Sequence, residues 1–351
     1  MRRWCARLVF VLVAGCLTRL DAQRYSFRQY GQQDGLNNLM VRCLLEDRAG
    51  FLWVGTENGL FRYDGREFVE FTMASGLPGA RIESLHETTE GRLWVGTRLG
   101  AAVQRGDRFD PATLGTPYDI VSQHGIAADG AGRVFVATNR GLAVFPPGGL
   151  GGRLLDRASG VPPEAHAVHV DRSGEVWLGC GTSLCRVERD RVVPAGVEGL
   201  PAQIWRVILS DPQGALWVRS ALSLQFRLKG ASRFQAAHGD FTTPLSIITL
   251  AADREGQLLA PTRSGFRMGG TGGWRTVDVR QGLASDTASC ALADREGSVW
   301  IGFAGAGLTR WLGYQEWESW TRAEGLASDN ILSVVRDASG TMWAATSAGL
   351  V

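Results

Sequence analysis

Beyond residue 25 the chain reads as short apolar-rich runs separated by polar turns. Its first complete unit shows the scheme. Residues 41–46 (Val-Arg-Cys-Leu-Leu-Glu) form one run, and 47–50 (Asp-Arg-Ala-Gly) read as a tight turn. Residues 51–56 (Phe-Leu-Trp-Val-Gly-Thr) are rich in aromatic and β-branched side chains, as strands are. A turn at 57–59 leads to a third run, residues 60–63. Asp64-Gly65 is a hairpin signal, and residues 67–71 alternate polar and apolar like a half-exposed strand. The pattern predicts four short antiparallel strands per unit. The 3.6-residue period of a helical solenoid is absent.

The unit recurs. Gly50, Gly91, Gly132, Gly174, Gly214, Gly256, Gly297 and Gly340 are spaced about 41 residues apart. Three residues after each stands Trp53, Trp94, Phe135, Trp177, Trp217, Leu259, Trp300 or Trp343. Three before stands Asp47, Thr88, Asp129, Asp171, Asp211, Asp253, Asp294 or Asp337. Openers of the form Gly-Leu begin at Gly35, Gly76, Gly199, Gly282 and Gly325, each 12 residues before the Asp column. A four-stranded blade cannot bury both faces alone, so the blades stack radially. The expectation is an all-β propeller, seven-bladed, with eight repeat motifs of which the last is truncated.

These residues carry a family resemblance. Asp-x-x-Gly-x-Leu-Trp-Val-Gly-Thr, then Gly-Leu-x-Arg-Tyr-Asp, with Gly-Leu-Pro openers, resembles the two-component regulator propeller repeat. The match is strongest at 47–64 and 91–97, good at 294–310 and 337–350, and weakest at 253–268, where Leu259-Ala260-Pro261 replaces Trp-x-Gly. The resemblance implies the periplasmic sensor region of a bacterial two-component receptor, non-catalytic, followed in the family by a membrane helix and an output domain. It also implies a small-molecule or saccharide ligand and further propeller or receptor domains as partners.

The N-terminus reads as an export signal. Arg2, Arg3 and Arg7 precede an apolar stretch, 8–17, too short to span a bilayer. Cleavage after Ala22 makes 1–22 a signal peptide and 23–351 the propeller domain, its last blade incomplete. Val13-Ala14-Gly15-Cys16 also fits a lipoprotein box, with Cys16 acylated. Either route places the domain in the periplasm or outside the cell. The chain stops in mid-blade at Val351, as a fragment of a longer receptor would. Residues 25–30 precede Gly35-Leu36 as 68–71 precede Gly76-Leu77, so they are expected to form the outermost strand of the closing blade.

A formal charge of +2 and the lack of any basic run argue against nucleic acid, and no later segment is long and apolar enough for a membrane helix. Cys180 and Cys185 flank a four-residue turn and either face each other as a disulfide or stay as buried thiols. No cofactor or metal motif is found. The Asp-x-x-Gly residues Asp47, Asp129, Asp171, Asp211, Asp253, Asp294 and Asp337 read as turn formers, because one turn repeated eight times explains them better than eight active sites. His86, His124, His166, His169 and His238 leave open a lyase-like propeller enzyme, and a pure interaction platform is the third reading. Variable loops on a rigid scaffold are where recognition concentrates. On the rim opposite the Asp turns these give Glu57, Asn58, Arg81, Arg98, Asn139, Arg140, Trp205 and Arg263, with the arginines suited to a carboxylate or sulfate.

Overall fold

The computed structural model describes residues 25–161, 164–188, 191–243, 246–314, 322, 325–339 and 341–351. The segment read as an export signal, with Cys16, and the anchor Gly340 lie outside the described residues. The described chain is all-β apart from short 3₁₀ turns. Seven antiparallel four-stranded sheets are the blades of a closed propeller. Blade 1 comprises Val41–Glu46, Leu52–Thr56, Leu60–Tyr63 and Phe68–Phe71. Blades 2 to 6 repeat this order along the chain, their first strands at Ile82–Glu87, Ile126–Ala128, Ala165–Val170, Val207–Ser210 and Ala251–Ala252.

Blade 7 is composite. Ala288–Ala293, Val299–Phe303 and Leu308–Trp311 supply three strands, and Phe27–Tyr30 from the start of the chain supplies the outermost. Phe27 pairs with Trp311 and Tyr30 with Leu308. This is the closure expected from the likeness of 25–30 to a fourth strand. The ring is seven-membered, and the eighth motif forms a separate three-stranded sheet of Ile331–Arg336, Met342–Thr346 and Gly349–Leu350. That sheet exposes Leu332, Val335, Met342 and Leu350.

Seven apolar clusters fill the seven seams between blades. In the seam between blades 1 and 2, Trp53, Leu60 and Phe71 meet Leu77, Ile82, Leu93 and Phe109. Trp53 is fully buried there, with its ring 5.5 Å from Phe71. The Gly-Leu openers explain how the chain passes from one blade to the next. A 3₁₀ turn, Met73–Ser75, is capped by the Thr72 hydroxyl, which accepts from the Ala74 amide at 3.2 Å. Gly76 ends it at φ 101°, a left-handed conformation that costs other residues, and a β-carbon there would collide with the Phe109 carbonyl. Leu77 then enters the seam. Cys180 and Cys185 are joined by a disulfide across the hairpin of blade 4, their Cα atoms 5.9 Å apart.

Candidate ligand site at the channel mouth

The two rims of the propeller differ in chemistry. On one lie the Asp-x-x-Gly turns, whose carboxylates are occupied. Asp47 accepts the Phe51 amide at 3.0 Å through one oxygen and the Trp53 indole N–H at 2.7 Å through the other. The second bond recurs as Asp171–Trp177 at 3.0 Å, Asp211–Trp217 at 2.8 Å, Asp294–Trp300 at 2.9 Å and Asp337–Trp343 at 2.9 Å. Where the tryptophan is missing, another donor takes its place: Arg133 at 2.7 Å from Asp129, and the Tyr314 hydroxyl at 3.0 Å from Asp253. Thr88 lacks the second oxygen, and the buried Trp94 indole nitrogen has no partner. A depression of about 450 Å³ between blades 4 and 5 also opens on this rim, lined by Asp171, Ser210 and Arg227.

At the opposite rim the central channel opens into a pocket of about 240 Å³ lined by Arg42, Arg81, Glu83, Arg98, Val121, Asn139, Glu164, His166, Arg206 and Ser246. Backbone irregularities build it. In blades 1, 2 and 4 the first strand is bulged, with the register jumping between Val41 and Cys43, Ile82 and Ser84, and Ala165 and Ala167. The extra residues are Arg42, Glu83 and His166. Each is buried, and each lines the mouth instead of a seam. All three stand five residues before the Asp column or its Thr88 counterpart, as do His124 and Arg206. A polar column inside otherwise apolar strands was therefore present in the sequence. Reading blade faces by strict alternation hides it, because a bulge breaks the alternation.

Charge at the mouth is organised around Glu83. Its carboxylate lies 2.5 Å from Arg42 and 2.9 Å from Arg81, and accepts the Gln123 amide at 3.0 Å. Glu57 closes the same network from outside, 3.0 Å from Arg42 and 3.2 Å from Arg81. Arg206 donates to the Val121 carbonyl at 3.1 Å. Burial lowers its pKa and the nearby Arg98 lowers it further, against Glu164 and Glu83. His166 is held below the ordinary histidine range by burial and then by Arg206, with Glu164 at 3.5 Å opposing. Its Nδ1 is buried without a partner.

Of the residues expected at this rim, Arg81, Arg98 and Asn139 line the pocket and Glu57 braces it. Asn58 and Arg140 are exposed on neighbouring turns, Arg140 donating to the Pro117 carbonyl at 3.3 Å, and Arg263 lies 3.5 Å from Asp240; none of the three lines the pocket. Trp205 was expected on the rim but is fully buried in the seam between blades 4 and 5. It is an apolar anchor at the end of an inter-blade segment, so a rim contact is closed to it.

Deeper in, the channel holds a cavity of about 400 Å³ walled by the first strands. His86, His124 and His169 face it together with Cys43 and Cys290. Burial pulls each histidine down to about 4, and His169 adds to the effect on the other two. His169 Nε2 lies 2.9 Å from the Ser210 hydroxyl, and His124 Nε2 accepts the Leu250 amide at 3.4 Å. Burial also pushes Cys290 up to about 12 and Cys43 well above its usual value, so neither is a ready nucleophile. Among the described residues no cluster of three or more His, Cys, Asp or Glu is arranged to hold a metal.

The described ring is thus a seven-bladed β-propeller with one repetitive rim and one variable, charged mouth. Residues 35–58 and 76–98 match the family described as two component regulator propeller. No curated protein matches its sequence. Among solved structures it is similar to the extracellular domain of a hybrid two component system from B. thetaiotaomicron, at 17% identity and TM-score 0.69, over 93% of this chain and 49% of that one. A second extracellular domain from the same organism, of a one component system, matches at 20% identity and TM-score 0.66, over 94% of this chain and 52% of that one. The chain thus spans about half the length of these relatives. A streptogramin B lyase is similar at 12% identity and TM-score 0.61, over 82% of this chain and 97% of that one.

Proposed function

We propose that this chain is the ligand-sensing propeller of an extracytoplasmic two-component receptor. It binds a small molecule at the channel mouth without transforming it and passes the bound state to further domains of the receptor. The carrying observation is the asymmetry of the rims. Asp carboxylates on one side are consumed by turn amides and indole donors, while the other side gathers Arg42, Arg81, Arg98 and Arg206 around a pocket. Export agrees with the extracellular origin of the two structural relatives. The test is calorimetry against neutral and acidic saccharides. Arg98→Ala should weaken binding at the mouth while changing stability by no more than about 0.5 kcal/mol, as exposed loop substitutions do. Arg140→Ala, outside the pocket, should change little. Binding that is untouched by Arg98→Ala and maps to the Asp-x-x-Gly rim would refute the assignment.

One observation favours a second reading, a lyase. Solved relatives include a catalytically inactive histidine-to-alanine variant of virginiamycin B lyase from Staphylococcus aureus with quinupristin. Here His166 and Glu164 stand 3.5 Å apart in the mouth, an arrangement from which a base could act. Product formation lost in His166→Gln would favour that reading.

A further inference from the structure

The ion pairs at the mouth leave one positive charge unmatched. Arg42 and Arg81 are each shared between Glu57 and Glu83, so those four groups neutralise one another. Arg98, Arg206 and Glu164 remain. Among the described residues Arg98 has no ion-pair partner, and it lines the same pocket as Arg206, whose charged form it disfavours. Glu164 and Glu83 also act on Arg206, but neither forms an ion pair with it or with Arg98, and two guanidinium groups lining one pocket present paired N–H donors suited to a carboxylate.

The rest of the lining is suited to hydroxyl groups. Asn139 uses its Oδ1 on the Asp119 amide at 3.0 Å, which leaves its NH₂ free to donate. Ser246 and Glu164 add a hydroxyl and an acceptor, and the buried Nδ1 of His166 offers one more unused polar atom. The pocket volume of about 240 Å³ falls below the roughly 300–1,000 Å³ of drug-sized sites. That is room for one ring, not for a chain of them. A single surplus charge, with Glu83 and Glu164 in the wall, suits a monoanion better than a phosphate dianion.

We propose that the mouth binds one acidic monosaccharide of the uronic acid type, its carboxylate held between Arg98 and Arg206 and its hydroxyls by Asn139, Ser246 and Glu164. This rests on the mouth being the recognition surface. It carries a linked proton. The charged groups at the mouth are Arg42, Arg81, Arg98, Arg206, Glu57, Glu83 and Glu164. Arg206 contributes to holding His166 neutral in the free protein, and a bound carboxylate offsets that cation. Association therefore draws a proton onto His166, and affinity rises as the solution becomes mildly acidic.

The experiment is titration calorimetry of the whole chain with D-galacturonate, D-glucuronate, D-galactose and inorganic phosphate, in buffers of differing ionisation heat. At least one uronate should bind, with galactose inert and phosphate weaker. Arg98→Gln should weaken the uronate about tenfold or more, the effect of losing one charge-assisted contact. Arg206→Gln should do the same; if its partly buried site prevents folding, the exposed Arg98 carries the test alone. Binding should be tighter at about pH 5.5 than at about pH 7.5, with proton uptake that disappears in His166→Gln. Galactose binding as well as the uronates, or a uronate indifferent to Arg98→Gln, overturns the carboxylate seat and leaves the mouth as the recognition surface. Failure of both uronates to bind also overturns it. Uronate binding lost in Arg227→Gln, on the opposite rim, and kept in Arg98→Gln would overturn the recognition surface itself.

Discussion

At Asp47 one carboxylate fixes two levels of structure, the turn through the Phe51 amide and the seam through the Trp53 indole. The Asp and Trp columns are both plain in the sequence, but their bond is not. It depends on strand twist bringing a side chain six residues on back over the turn. Blade 2 shows what the bond is worth, because Thr88 leaves the buried Trp94 nitrogen unsatisfied. Thr88→Asp should supply the acceptor and raise stability by about 1–2 kcal/mol in chemical denaturation. In a Trp94→Phe background the gain should vanish, since no indole remains to receive it. A gain of equal size in both backgrounds would mean that the added carboxylate acts only on its own turn.

Strands and turns were the most readable elements, because each unit repeats the same local chemistry. The outermost strand of blade 7 was legible for that reason, the segment before Gly35-Leu36 matching the one before Gly76-Leu77. The bulges were not. A bulge moves one residue out of a period-two pattern, so Arg42, Glu83 and His166 read as faults in a strand when they line the pocket at the channel mouth. Trp205 failed in the opposite direction, its place beside a loop suggesting exposure while its ring fills a seam. Closure can be tested on the first strand. Tyr30 is buried, with its ring 5.3 Å from Trp300 and 5.4 Å from Tyr63, on both sides of the seam between blades 7 and 1. Tyr30→Ala should cost on the order of 3–5 kcal/mol, and the exposed Gln29→Ala within about 0.5 kcal/mol. Equal small losses in thermal melts would mean that this strand does not hold the ring shut.

For the whole molecule the channel is the emergent feature, since no single unit encodes it. Its residues come from the first strands of all seven blades, and what matters is how they differ from one another. His86, His124 and His169 give it a pH signature. All are neutral in the folded ring, with pKa values near about 4, whereas an unfolded chain protonates its histidines below about 6.5. Between those limits the unfolded state binds more protons, so stability is full above the upper value and declines as pH falls toward the lower. Each histidine contributes on the order of 2–3 kcal/mol to that decline. Melting temperature should drop steeply from about pH 6.5 to about pH 4, and His86→Gln, which removes one of the three groups, should make the slope shallower. An unchanged slope would remove His86 from the acid response.

The pairing of Phe27 with Trp311 has a mechanical consequence. The chain enters the ring at Phe27 and leaves it beyond Trp311, at the same end of one antiparallel pair. Tension between these two points loads the hydrogen bonds of that pair one after another, like a zip, instead of shearing all of them at once. The ring therefore has a single latch that opens at low force, while the other six blades carry none of the load until it has opened.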